Sequence, residues 1–104
     1  MLLIDIVRTG GVVAFQPALL QLNLAAGEVE TVAFRNRDSE SGHWVTMAGK
    51  PANFWFPRPL ARHTGSSPNT SSRLVIMGTG QRFPINYHCV PHADDPGESG
   101  VIGV

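Results

Sequence analysis

The chain has a single cysteine, Cys89, which excludes an internal disulfide and leaves the redox compartment unmarked. Charge is sparse as well: Asp, Glu, Lys and Arg make up 15% of the 104 residues and cancel to zero, with the eight basic residues scattered along the chain. A nucleic-acid binder neutralises phosphates with clustered Lys and Arg, so that class is excluded, and so is a polybasic contact with a membrane surface. No apolar run is long enough for a helix to span a bilayer. The N-terminal MLLIDIVRTGG lacks a charged leader, a long apolar region and a small-residue cleavage site, and reads as a first strand. Helical periodicity is missing throughout.

What the chain does have is period-two alternation and turns. With 42% hydrophobic residues it is globular, and 11 Gly and 8 Pro supply frequent breaks between short strands. Leu20, Leu22 and Leu24 alternate with Gln21 and Asn23, and Val32 and Phe34 alternate with Thr31 and Arg35. His43, Val45 and Met47 share one strand face, opposite Trp44 and Thr46. Phe83, Ile85, Tyr87 and Cys89 share another, opposite Pro84, Asn86 and His88. Gly10-Gly11, Ala26-Gly27, the polar run Arg37–Gly42, Lys50-Pro51, Gly65–Ser72 and Gly78–Gly80 punctuate these runs. The aromatic PANFWFPRPLAR stretch carries too many prolines for a central strand and reads as an irregular crossover packed by its rings. The spacing predicts one all-β domain over residues 1–104, an antiparallel sandwich of seven to eight strands.

Chemistry concentrates near the C-terminus, in YHCVPH. A lone cysteine is more often a small buried hydrophobe than a ligand. His92 changes the balance, because a turn through Val90-Pro91 can bring its imidazole back beside the Cys89 sulfur. His43 begins a strand on the inward face, where a histidine needs a partner. Two imidazoles and one thiolate form a trigonal set that suits copper: the soft sulfur holds Cu(I), and the nitrogens accept both oxidation states. His88, on the opposite face from Cys89, points away from such a site, and His63 reads as solvated.

Several segments together resemble the cupredoxins, the small blue-copper proteins, of plastocyanin-like type. FQPALLQLNLAAGEVETVAFRNRD, the Asn36…His43 pair, INYHCVPH and the closing GVIGV match that family's segments in order, over nearly the whole chain. The resemblance implies a Greek-key β-sandwich and one copper per chain, cycling between Cu(I) and Cu(II), held by His43, Cys89 and His92. It also implies that Asn36 ties the first ligand loop to the cysteine strand by hydrogen bonds. The family's axial methionine has no counterpart after His92; counting back from Gly100, its position falls on Glu98. Glu98 is therefore the expected fourth ligand, with the Gly42 carbonyl, Met47 or water as alternatives, and Met77 reads as core.

The function implied is electron transfer with transient redox-protein partners, rather than an enzyme. The alternatives are a copper-handling or storage module, or a red-copper-type redox enzyme or small-molecule-binding site. The resemblance also implies a periplasmic or other extracytoplasmic location, with the signal peptide lying outside this chain. Trp44, facing outward beside His43, is expected to line the opposite sheet face or a docking surface.

Overall fold

The computed structural model describes residues 1–65, 69–80, 82–90 and 98–104. Among the described residues nine strands form two sheets: β1 (Leu2–Thr9), β2 (Val12–Gln16), β3 (Leu19–Gln21), β4 (Val29–Asn36), β5 (Val45–Met47), β6 (Asn69–Thr70), β7 (Leu74–Met77), β8 (Ile85–Cys89) and β9 (Ser99–Gly103). The first sheet runs β2-β1-β4-β6, with β7 also on β4, and the second runs β3-β9-β8-β5. The all-β sandwich is as expected, and the strand beyond the expected count is the two-residue β6, inside what read as a purely polar connection. The sheets are mixed rather than antiparallel, because β1 pairs with β4 and β3 with β9 in parallel. Those partners are far apart in sequence, and period-two patterning fixes a strand's face but not the direction of its neighbour. No helix among the described residues is long and apolar enough to cross a membrane.

Alternation builds the core. In β1, Ile4 and Ile6 face inward, and in β4 Val32, Phe34 and Asn36 do the same, with Ile4 beside Phe34 and Ile6 beside Asn36 in the parallel register. The outward residues between them, Asp5 and Arg35, are paired by the same register and form a two-pronged ion pair at 2.6 and 3.1 Å. The second sheet contributes Val45, Ile85, Tyr87, Cys89 and Ile102. Rings join the layers: Tyr87 packs edge-on to Phe15 at 4.8 Å and to Phe34 at 5.1 Å. The proline-rich crossover adds Trp55 and Phe56 against Phe34, as its aromatics predict.

Strand parity also corrects one expectation. Ile76 is the inward residue of β7, so Met77 points out and is 50% exposed; it is neither core nor near the site. Gly100 lies opposite Tyr87 in the β8–β9 ladder, and a Cβ there would overlap the phenol ring. The glycine of the closing segment is thus required by the tyrosine of the cysteine strand.

Candidate metal centre

Three chain segments converge at one end of the second sheet. β8 ends on Cys89, which pairs with Val45 of β5. The β8–β9 ladder sets Tyr87 against Gly100 and His88 against Ser99, so its next step brings Glu98 opposite Cys89 on the same inward face. His43 enters two residues before Val45. Its backbone is fixed by two hydrogen bonds with Leu60, at 2.9 Å from its own N–H and 2.8 Å to its carbonyl. The neighbouring Trp44 carbonyl accepts the Val90 N–H at 2.7 Å, locking the ligand strand to the cysteine strand.

The donor atoms of His43, Cys89 and Glu98 lie within 4.8 Å of one another, and all three residues are buried. His43 Nδ1 is 3.4 Å from Cys89 Sγ and 3.2 Å from Glu98 Oε1. A neutral imidazole that donates from Nε2 offers a lone pair at Nδ1, beside a carboxylate and a sulfur. Three electron-rich atoms facing one another need a proton or a cation among them. Nitrogen, sulfur and carboxylate oxygen at this spacing are compatible with a metal site, and the donor set fits a transition ion. In the metal-free chain, burial pushes the Cys89 thiol well above its ordinary range, and the nearby charges of Glu98 and Asp38 push the same way. A bound cation would remove that penalty, since a coordinating thiol is deprotonated outright.

Of the expected ligands, His43, Cys89 and Glu98 are brought together; His92 lies outside the described residues. Met47, the alternative on the same strand face as His43, is half-buried against the core, opposite Tyr87. Gly42 is closely packed, since a Cβ there would come to 2.8 Å from the Leu60 carbonyl oxygen. Trp44 faces away from the site and donates its indole N–H to the Phe56 carbonyl at 3.0 Å. His63 is half-buried rather than solvated, because its loop folds back and its amide donates to the Asp38 carbonyl at 2.8 Å.

Asn36 differs from its expected role. Its side-chain N–H groups donate to the carbonyls of Ser41 and Ala61, and its oxygen accepts the Asp38 amide at 2.9 Å. It therefore binds the Arg37–Gly42 loop to the crossover, not to the cysteine strand. The cause is position: Asn36 is the last inward residue of β4, on the first sheet, and its neighbours are loops.

Two residues that the sequence did not single out complete the site. Asp38 is fully buried, with one carboxylate oxygen 2.7 Å from His43 Nε2. Arg8 grips both its oxygens at 2.9 Å, and the Glu40 amide and Ser41 hydroxyl each donate at 2.9 Å. Burial alone would raise the Asp38 carboxyl; the hydrogen bonds from Arg8, the Glu40 amide, His43 and Ser41 outweigh it and hold it far below the usual carboxylate range. The Asn-x-Asp spacing at 36–38 was the available signal, since a carboxylate beside an inward asparagine has backbone donors within reach.

No protein-family model matches the chain, and no curated protein matches it in sequence.

Proposed function

We propose that this domain is a mononuclear copper protein of cupredoxin type that carries single electrons between transient protein partners outside the cytoplasm. The observation that carries this reading is the buried convergence of His43, Cys89 and Glu98 at the end of a β-sandwich, in the segments that resemble that family's ligand segments. His92 would complete the set, and its assignment rests on the Cys-x-x-His spacing and on the resemblance of INYHCVPH to the family's ligand segment. Bound there, copper would supply one-electron cycling between Cu(II) and Cu(I). The chain supplies the rest. Cys89 offers a soft sulfur that serves both states, and the β5–β8 pairing and the His43–Leu60 bridge fix Cys89 and His43 so that the donors move little when the charge changes. Burial keeps bulk water from the donors. A largely apolar hollow of about 190 Å³ adjoins His43, lined by Val45, Phe56, Pro57 and Leu60 together with Arg58, and an apolar patch with a polar edge suits short-lived docking.

Glu98 favours a specific variant of this reading. A carboxylate 3.2 Å from His43 Nδ1 is a hard, anionic donor, and its charge favours Cu(II) over Cu(I). The site is then of red-copper type, with a lower reduction potential than a methionine-ligated relative. Titrating the metal-free protein with Cu(II), followed by visible absorption and electron paramagnetic resonance, tests both levels. A 1:1 complex with an intense sulfur-to-copper band and reversible one-electron cycling is the expected result, and no uptake of Cu(II) would sink the reading. Glu98→Met is expected to raise the potential and shift the band; if Glu98→Gln and Glu98→Met leave both unchanged, Glu98 is not a ligand. Perturbation of the spectrum by azide would instead favour a small-molecule site.

A further inference from the structure

His43 has two ring nitrogens, and the structure gives each a different neighbour. Nδ1 faces Cys89 and Glu98, and Nε2 faces Asp38 at 2.7 Å, the shortest contact the imidazole makes among those described. Asp38 is 0% exposed, and ionised carboxylates are rarely buried so completely without a charge partner. Arg8 is that partner, gripping both oxygens, and it reaches on to Glu40 at 2.9 Å and Ser41 at 3.1 Å. The Arg37–Gly42 turn is held independently of the Asp38 carboxylate by Asn36, which donates to the Ser41 carbonyl and accepts the Asp38 amide, and a neutral side chain at position 38 could still accept from the Glu40 amide. What a neutral side chain could not supply is a full negative charge on the outer nitrogen of the imidazole.

We infer that Asp38 is a positioning residue for the metal: it fixes His43 with the proton on Nε2, presents Nδ1 to the ion, and makes the imidazole a stronger donor to the more highly charged state. Arg8 holds that carboxylate in place through both oxygens. The inference rests on the metal-site reading above. A carboxylate on the far nitrogen of a metal-bound histidine sets both the tautomer and the basicity of the ligand, and losing it typically weakens metal binding by about 10–100-fold.

The test uses Asp38→Asn, which keeps the size and one acceptor oxygen and removes the charge. Cu(II) affinity is expected to fall by about 10–100-fold. Cu(I) affinity should fall less, so the reduction potential rises. Because Asp38→Asn breaks the ion pair with Arg8 at a buried position and can unfold the chain, Arg8→Gln is the second variant. It releases Asp38 from its countercharge and is expected to lower the potential. A role confined to holding the loop moves both variants in the same direction, because both break the same pair, and that result overturns the inference. Nitrogen-15 resonance of histidine-labelled, metal-free protein gives an independent readout. A protonated Nε2 on His43 supports the inference, and a bare Nε2 with a protonated Nδ1 overturns it. If the wild-type chain takes up no Cu(II), the metal reading fails and this inference with it. If it binds Cu(II) at a potential that Asp38→Asn leaves unmoved, this inference alone fails.

Discussion

The two ends of β8 sit in opposite chemistries. Ile85 and Tyr87 lie in an apolar interior, with Tyr87 edge-on to Phe15 and Phe34. Two residues further along the same face, Cys89 meets His43 and Glu98, with Asp38 and Arg8 behind them. Non-directional apolar contacts organise the first region, and their contribution scales with area removed from water. The second is organised by directed contacts in a buried setting, where an unmatched charge costs far more than it does in water. The difference teaches which substitutions should move stability and which should move chemistry: the interior should answer with unfolding free energy, the polar end with metal binding.

The largest contrast comes from one substitution at each end. Cys89→Ser is expected to abolish the sulfur-to-metal band altogether. The metal-free protein should unfold within about 1 kcal/mol of wild type in urea, since a hydroxyl can still donate to the facing acceptors. Phe34→Ala should do the reverse. Loss of a ring that touches Phe15, Trp55, Phe56 and Tyr87 is expected to remove about 3–5 kcal/mol of unfolding free energy. Where the variant remains folded, the metal-site spectrum should be retained. If Phe34→Ala shifts the spectrum as much as the stability, the two regions are not separable.

Tyr87 sharpens the boundary between the regions. Its ring belongs to the interior, but its hydroxyl is buried with no hydrogen-bond partner among the described residues. Burial pushes the phenol well above its ordinary range, and Cys89 adds to the push. Removing an unsatisfied buried hydroxyl recovers its desolvation cost, so Tyr87→Phe should leave stability unchanged or raise it by about 1 kcal/mol, read from urea or thermal unfolding. A loss of 1 kcal/mol or more would mean that the hydroxyl is satisfied.

The smallest effect lies on the surface, at Asp5. Its carboxyl is held below the ordinary aspartate value of 3.8 first by the Arg35 hydrogen bond, against partial burial, with Arg37 helping. Because the folded value is the lower one, the unfolded chain takes up the proton first as pH falls. The contribution of Asp5 is full above 3.8 and is lost as pH drops toward the folded value. Asp5→Asn is expected to cost about 0.2–1 kcal/mol at neutral pH, as surface ion pairs do. The gap to wild type should close in acid, measured by urea unfolding across pH. A gap that widens in acid would reverse the assignment.

Much of the fold was legible because alternation is a local property. The inward faces of β4, β5 and β8 follow from period two alone, and the positive-φ turn Gly10-Gly11 is where the glycine pair marks it. Sheet membership and the parallel pairs were not legible, since they depend on partners distant in the chain. At the site, Cys89 and His43 were singled out from residue type and parity, and Glu98 from the place of the family's axial methionine in the resemblance, counted back from Gly100. The ladder accounts for Glu98 lying beside Cys89: a strand register counts residues in the same units as the sequence, so Glu98 falls opposite Cys89. Asp38 and Arg8 escaped notice because each looks like an ordinary charged residue beside a turn. Only the parallel pairing of β1 with β4 brings the end of β1 to the loop after β4.

By itself the sequence determined the class of structure and the residue types of the site, because patterning and ligand chemistry are written one residue at a time. The tertiary structure decided what surrounds them. It set Asn36 among loops rather than on the cysteine strand, turned Met77 to the solvent, and placed a buried aspartate behind His43. Burial and long-range pairing convert a surface-like Asp-Arg pair into a fixed charge on the far nitrogen of a histidine, and neither property belongs to a single stretch of chain.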